Sequence, residues 1–207
     1  MVSNITSDPK IVKVCGMRDP DNIRAVEALG IDWMGFIFWP RSSRYVDTLP
    51  AYLPTQCKRV GVFVDSPVED VVRHIETYRL DLIQLHGHET PEYLTQLRGC
   101  KIIKALSINS PNDVERYKYY EGLADYFLFD TRCATVGGSG TQFDWSLLSA
   151  YCGQTPFLLS GGIGPEDAEQ VRTFRHPHLA GIDLNSRFES APAHKDIQKL
   201  KQFLHEI

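Results

Sequence analysis

The chain has 207 residues, of which 43% are hydrophobic and 23% are charged. Its 22 Lys and Arg stand against 26 Asp and Glu, so the formal net charge is −4 at pH 7, which argues against broad binding to nucleic acid or to an anionic membrane. No apolar run reaches the roughly 18 residues of a membrane helix, and the first residues lack the pattern of a secretory signal. These features predict a globular, cytoplasmic protein, and we expect it to be a monomer.

Eight short apolar runs recur along the chain. Most are continuously apolar rather than alternating, which indicates strands that are covered on both faces, as in a parallel sheet. The runs occupy residues 11–14, 33–38, 60–64, 82–85, 102–106, 126–129, 157–159 and 179–184.

Signals for helix starts lie between these runs. Strand and helix alternate about eight times, with about 26 residues per unit, which favours a single-domain (β/α)8 TIM barrel over residues 1–207, with residues 1–9 as a short flexible extension. A doubly wound open sheet is the competing architecture, although such sheets usually stop at five or six parallel strands. The predicted helix starts are Asp19-Pro20, Ser66-Pro67, Thr90-Pro91, Ser110-Pro111 and Gly164-Pro165, and the last helix is predicted over residues 194–205.

Cys15 directly follows the first predicted strand and precedes the helix that starts at Asp19-Pro20. The active site of a (β/α)8 barrel lies at the carboxyl ends of its strands, and a thiol near the positive end of a helix has a lowered pKa. Cys15 is therefore a candidate functional thiol, against the alternative of a buried structural cysteine. The remaining cysteines lie in connecting segments and are interpreted as reduced structural thiols: Cys57, Cys100, Cys133 and Cys152.

Asp130 ends the sixth apolar run and precedes a glycine-rich stretch at residues 137–140. An apolar environment would raise the pKa of its carboxyl group and let it act as a general acid. The alternatives are a helix cap or a salt-bridged carboxylate. Cys15 and Asp130, at the ends of strands one and six, are expected to face each other across the barrel mouth, which suits a base and an acid acting on one substrate.

Other strand ends predict sites for anionic groups. Gly161 and Gly162 follow the seventh strand and Ser186 follows the eighth, and the loops at these two positions commonly bind phosphate through backbone amides. Arg44 follows the second strand and could bind a carboxylate through two hydrogen bonds. Its alternative is a solvated surface arginine. A phosphorylated small molecule is therefore the predicted substrate.

Together these strand-end motifs resemble those of the phosphoribosylanthranilate isomerase family, and they occur in the family's order. The resemblance runs from about residue 10 to the last helix. It rests on Lys13-Val14-Cys15-Gly16, Phe38-Trp39-Pro40, Ser42-x-Arg44-Tyr45, Gly61-Val62-Phe63-Val64, Gln84-Leu85-His86-Gly87, Phe129-Asp130-Thr131, Gly137-Gly138-Ser139-Gly140, Phe143-Asp144-Trp145 and Leu159-Ser160-Gly161-Gly162-Ile163.

The resemblance implies an isomerase of tryptophan biosynthesis that is a single (β/α)8 barrel and needs neither a cofactor nor a metal. It would convert N-(5-phosphoribosyl)anthranilate into 1-(2-carboxyphenylamino)-1-deoxyribulose 5-phosphate. Cys15 would be the general base, Asp130 the general acid and Arg44 the contact with the anthranilate carboxylate. The phosphate would bind at Gly161, Gly162 and Ser186, and the further expected substrate contacts are Gln84, His86 and Asp183.

One position departs from the family pattern. Arg187 stands where many members have glycine, and an arginine would be strained if this turn required a positive φ.

Two other functions remain open at this point. A metal-dependent pentose-phosphate epimerase of the same fold could use Asp65, His86, Asp130 and Asp183. His86 and His88 form an H-x-H pattern, but without a second ligand pair at matching spacing no metal site is predicted. The second alternative is a non-catalytic barrel that binds a phosphorylated ligand.

Overall fold

The computed structural model describes residues 11–131 and 144–207. Eight parallel strands form a closed barrel in chain order, and the first strand pairs with the last. The (β/α)8 barrel is therefore confirmed over the doubly wound sheet. The strands are β1 (Ile11–Val14), β2 (Trp33–Ile37), β3 (Lys58–Phe63), β4 (Leu82–Leu85), β5 (Lys101–Ile108), β6 (Tyr126–Thr131), β7 (Phe157–Leu159) and β8 (Leu179–Leu184).

The apolar runs became strands because their side chains are buried on both faces of the sheet. A small cluster that includes Trp33, Val60 and Leu128 is separate from the large cluster to which Phe36, Phe63 and most helix residues belong. Successive residues of one strand point alternately to the two sides. An uninterrupted apolar run therefore supplies both clusters at once.

The helices cover the outside of the barrel. Three begin as predicted, at Pro20, Pro91 and Pro111. The Asp19 carboxylate accepts a hydrogen bond from the amide of Asn22 at 2.8 Å, the Thr90 hydroxyl accepts one from the amide of Tyr93 at 3.4 Å, and Ser110 caps the third of these helices. The helices are α1 (Pro20–Glu27), α2 (Val68–Tyr78), α3 (Pro91–Gln96), α4 (Pro111–Val114), α5 (Ala168–Thr173) and α6 (Ile197–Glu206), with 3-10 turns at Glu115–Tyr119, Trp145–Ala150, Pro165–Asp167 and Ser186–Phe188.

Three details of the helix prediction were wrong. The second unit has no helix between β2 and β3, so strand and helix do not alternate throughout. Ser66 does not cap α2, because Pro67 itself takes the extended cap position and the helix begins one residue later. The last helix begins at Ile197 with Asp196 as its cap, since the two residues before Asp196 form a short strand.

That short strand belongs to a small hairpin after β8. The hairpin consists of β9 (Glu189–Ala191) and β10 (His194–Lys195), which are antiparallel and place Lys195 opposite Glu189. Within the two described ranges, no helix is long and apolar enough to span a membrane.

Candidate active site

Cys15 lies at the carboxyl end of β1 and is 3% exposed. Its amide donates to the carbonyl of Leu184 at 2.9 Å, which continues the pairing with β8 beyond the last strand residue. Gly35 on β2 lies directly beside the thiol, and a Cβ atom at this position would stand 2.6 Å from Cys15 Sγ. The carbonyl of Gly35 also accepts hydrogen bonds from the amides of Gly16 and Met17, both at 3.0 Å. The missing side chain of Gly35 thus makes the room that the thiol occupies.

A fully buried ion pair lies next to this thiol. Lys13 is not exposed at all, and its Nζ atom is 2.7 Å from Asp183 Oδ1. The two residues are register partners between β1 and β8. The Ser160 hydroxyl donates to the other carboxylate oxygen of Asp183 at 3.2 Å. Asp183, predicted as a substrate contact, is therefore bonded to two protein side chains.

Burial raises the pKa of the Cys15 thiol. The charges of Lys13 and Lys195 and a hydrogen bond to Lys13 lower it, whereas the Asp183 carboxylate raises it, and the effect of burial is the largest. The expected lowering by the helix start was wrong. Because α1 begins only at Pro20, five residues beyond the thiol, desolvation rather than a helix end governs the thiol.

Asp130 contacts a histidine rather than a purely apolar environment. Its Oδ2 atom lies 3.2 Å from His86 Nε2, and each of the two side chains is 24% exposed. Gln84 is 1% exposed, and its Nε2 atom lies 2.9 Å from His86 Nδ1. With the amide donating to Nδ1, the hydrogen of a neutral His86 is on Nε2 and points to Asp130. The chain Gln84–His86–Asp130 therefore orients the carboxyl group.

Arg44 is buried and bound to Glu189 through two nitrogens. Nε lies 2.8 Å from Oε1 and Nη2 lies 2.7 Å from Oε2. Lys195 bonds the same carboxylate at 2.6 Å and also donates to Asn185 Oδ1 at 2.8 Å. These contacts lower the pKa of Glu189 against the effect of burial, which acts in the opposite direction. Arg44 is thus held rigidly in place and is not a solvated surface arginine.

The loops after β7 and β8 have the backbone needed for an anion site. Gly161 and Gly162 have φ values of 88° and 73°, a region in which glycine is favoured and in which backbone amides can turn towards a ligand. Ser186 begins the 3-10 turn after β8. Arg187, in the same turn, is not among the described residues with positive φ, so it does not strain this loop. Its guanidinium forms an ion pair with Glu166 of the neighbouring loop.

The remaining candidates are less informative for the site. The Asp65 carboxylate is hydrogen-bonded to the backbone amide and the ring of His88. Among residues 11–131 and 144–207, no three His, Cys, Asp or Glu side chains form a group that could hold a metal. Burial raises the pKa of Cys57 to about 12, and Cys152 is exposed. Cys133 and the glycines at 137–140 lie outside the described residues. A cleft lined by residues such as Asp32 and Lys58 opens at the amino ends of the strands, away from Cys15.

Comparison with known proteins places this geometry in a family. A family model described as N-(5'phosphoribosyl)anthranilate (PRA) isomerase matches residues 12–206. The chain belongs to the phosphoribosylanthranilate isomerase family. A relative from Parabacteroides distasonis, named N-(5'-phosphoribosyl)anthranilate isomerase, is 54% identical over 205 residues, which are 95% of this chain and 93% of the relative. The chain is accordingly an aldose–ketose isomerase of tryptophan biosynthesis.

Solved phosphoribosylanthranilate isomerases have the same fold. The chain is similar to a structure of monomers derived from the dimeric enzyme of Thermotoga maritima, with a TM-score of 0.81 and 28% identity over 95% of this chain and 97% of that one. It is also similar to an isomerase in complex with reduced 1-(o-carboxyphenylamino)-1-deoxyribulose 5-phosphate, with a TM-score of 0.79, 29% identity and the same coverage. A phosphorylated small molecule is therefore the substrate class of the family.

Sequence reasoning missed three residues that build the site. Gly35 was read only as part of an apolar strand, and Glu189 and Lys195 were not singled out. Glu189 is a charged residue that closely follows the predicted phosphate loop, five residues after β8, so its position could have marked it. Lys195 lay inside the stretch predicted as helix, and only the hairpin brings it to Glu189.

Proposed function

We propose that the isomerisation proceeds by general acid–base catalysis, with Cys15 as the base and Asp130 as the acid. The observation that carries the proposal is the position of both side chains at the carboxyl ends of the strands, on β1 and β6. A buried cation network surrounds the thiol, and His86 contacts the carboxyl group. Both groups are thus held at the end of the barrel where active sites of this fold occur.

The proton transfers balance without a further reactant. Asp130 donates its proton to the ring oxygen of the aminoribose, the bond between that oxygen and C1 breaks, and a protonated Schiff base forms. The cationic nitrogen makes the C2 proton acidic, and the Cys15 thiolate removes it, so that the electron pair of the C–H bond enters the enolamine. Tautomerisation of the enolamine gives the ketone.

Arg44 is the proposed contact for the anthranilate carboxylate. Glu189 occupies Nε and Nη2, so Nη1 is left with no hydrogen-bond partner among the described residues. Arg44, Glu189 and Lys195 together carry one surplus positive charge, which favours binding of a carboxylate. The rigid pairing with Glu189 also reduces the entropy that the guanidinium loses when the substrate binds.

The phosphate group is proposed to bind at Gly161, Gly162 and Ser186. The positive φ of the two glycines supports this assignment, because backbone amides can approach an anion closely where no Cβ intervenes. His86, which is partly exposed, is the proposed direct contact among the remaining candidates. Gln84 and Asp183 are buried. Gln84 would act on the substrate through His86, and Asp183 would act through Lys13 on the Cys15 thiol.

Two substitutions test the acid and base roles. Cys15→Ser and Asp130→Asn should each lower kcat by about 10²- to 10⁴-fold, the usual contribution of a general acid or base, with little change in folding. Cys152→Ser, at an exposed position, is the matched control and should retain turnover. Activity requires a thiolate, and burial raises the pKa of the Cys15 thiol, so the rate should rise with pH through the range above the ordinary thiol pKa, and Cys15→Ser should lose this rise. Near-normal kcat in either variant would refute its role.

The chain is further proposed to form one barrel domain over residues 1–207, with 1–9 as a short extension, and to act as a cytoplasmic monomer. The large hydrophobic residues exposed in the described ranges are scattered singly, at Leu49, Val72 and Tyr119, which supports the monomer. Light scattering coupled to gel filtration tests it, and a mass of twice 23.5 kDa would refute it.

A further inference from the structure

The thiol of Cys15 is surrounded by more buried positive than negative charge. The side chains of this charged cluster are at most 9% exposed, and they comprise three cations and two carboxylates. A buried surplus charge is unfavourable unless an anion balances it. The cluster consists of the cations Lys13, Arg44 and Lys195 and the carboxylates Asp183 and Glu189.

The cations of the charged cluster lie around the thiol. Lys13 precedes Cys15 by two residues, and the pairing with β8 continues through the Cys15 amide just beyond β1, so both side chains point to the same side of the sheet. Beyond Cys15, a Cβ atom at Gly16 would lie 2.7 Å from Arg44 Cδ and 3.5 Å from Lys195 Nζ. An ionised Cys15 sulfur beside the charged cluster therefore adds the one negative charge that brings the sum to zero.

Lys13 differs from the other two cations in its place in the fold. The side chains of Lys13 and Lys195 are both unexposed, but Lys13 lies on β1 in the wall of the barrel, whereas Lys195 belongs to the hairpin and Arg44 follows β2. Lys13 contacts Asp183, and Asp183 in turn is bonded by Ser160. A fully enclosed ammonium group can act on the reaction only through a neighbouring side chain.

We propose that Lys13, held in place by Asp183, is a positioning residue that serves as the counterion of the Cys15 thiolate. This inference rests on the proposed base role of Cys15 and adds the group that makes its ionisation possible in a buried site. When the thiolate takes the C2 proton, the charged cluster returns to one surplus positive charge, and the anionic substrate bound beside it offsets that charge.

Electrostatics at the thiol agree with this geometry. Among the charges that act on the Cys15 thiol, that of Lys13 has the largest effect and lowers the thiol pKa. The Asp183 carboxylate acts in the opposite direction with a smaller effect, and Lys195 lowers the pKa as well. Removal of the Lys13 charge should therefore raise the pKa of the thiol further above its ordinary value and leave less thiolate at a given pH.

The rate of alkylation by iodoacetamide, followed by mass spectrometry of the Cys15 peptide at pH 7.5 to 9, tests the proposal. The reagent is neutral, and exposed Cys152 in the same sample is the internal standard. Each unit by which the thiol pKa rises reduces the thiolate fraction about tenfold and makes the remaining thiolate about threefold more nucleophilic. Lys13→Met should therefore slow the alkylation of Cys15 by about three- to fourfold per unit. Lys13→Arg retains the charge and should restore most of the rate.

The direction of the change separates a counterion from a merely structural role. If Lys13 only supports packing, its loss loosens the site and alkylation of the buried thiol becomes faster, which would overturn the proposal. An unchanged rate would overturn it as well. The double variant Lys13→Met/Asp183→Asn leaves no unpaired carboxylate, so it replaces the single variant if that one does not fold. Its rate of Cys15 alkylation should also fall, by a smaller factor. Alkylation does not depend on turnover, so its outcome is separate from the Cys15→Ser test of the base role.

Discussion

Replacement of Gly35 by alanine should impair the reaction through the position of the thiol. A Cβ atom at residue 35 would stand 2.6 Å from Cys15 Sγ and 3.1 Å from Cys15 Cα. Atoms in ordinary contact are about 3.5 Å or more apart, so the sulfur must move by about 1 Å. A displacement of that size can cost about 10²-fold in rate. Gly35→Ala should therefore lower kcat by about 10²-fold.

The same substitution should cost some stability, and a control separates the two effects. Overpacking of a core costs about 1–3 kcal/mol. Gly61→Ala on β3 is the matched control. Its Cβ atom would press against Leu80 Cδ1 and stand 2.8 Å from Phe63 Cε2, away from the thiol. Both variants should lose stability, and only Gly35→Ala should lose most of its turnover.

The assay follows the loss of substrate fluorescence for kcat and KM and uses circular dichroism for the melting temperature. A loss of about 2–4 °C is expected for each kcal/mol in a chain of this size. If Gly35→Ala keeps kcat within about threefold of the wild-type value, either the thiol does not need this position or Cys15 is not the base. If Gly61→Ala loses as much turnover as Gly35→Ala, the effect belongs to the barrel as a whole.

Three further predictions concern binding and stability. Arg44→Ala should raise KM about ten- to a hundredfold, and the protein should stay folded because Lys195 still neutralises Glu189. Arg41→Ala, at an exposed position in the same loop, is the control and should leave KM unchanged. An unchanged KM for Arg44→Ala would remove Arg44 from the site. Inorganic phosphate should inhibit competitively with substrate, and purely noncompetitive inhibition would contradict the phosphate site. Lys104→Met should lower the free energy of unfolding, measured in urea, by about 3–5 kcal/mol, because the buried Lys104–Glu89 pair at 2.7 Å loses its cation. An unchanged urea midpoint would show that the buried Glu89 needs no partner.

The amino-acid sequence was sufficient to predict the barrel and to place the candidate site at the carboxyl ends of its strands. Runs that are apolar without alternation require cover on both faces, and eight of them in regular succession with helix signals leave few other folds. The start of α1 followed from Asp19 and Pro20, because a cap and a proline act within one turn of chain. Cys15 and Asp130 could be placed at strand ends for the same reason, since the length of the preceding run determines where each strand stops.

The partners of those residues were decided only by the tertiary structure. Lys13 meets Asp183 because closure of the barrel sets β1 beside β8, at a separation of 170 positions in the chain, and the hairpin after β8 carries Glu189 to Arg44, 145 positions away. Gly35 shapes the thiol site through the register between β1 and β2. The pKa of the Cys15 thiol was predicted to be lowered because the sequence shows a helix start nearby. The sequence does not show the burial that raises this pKa. Local signals act through neighbouring residues, whereas desolvation and ion pairing depend on which distant segments the closed sheet brings into contact.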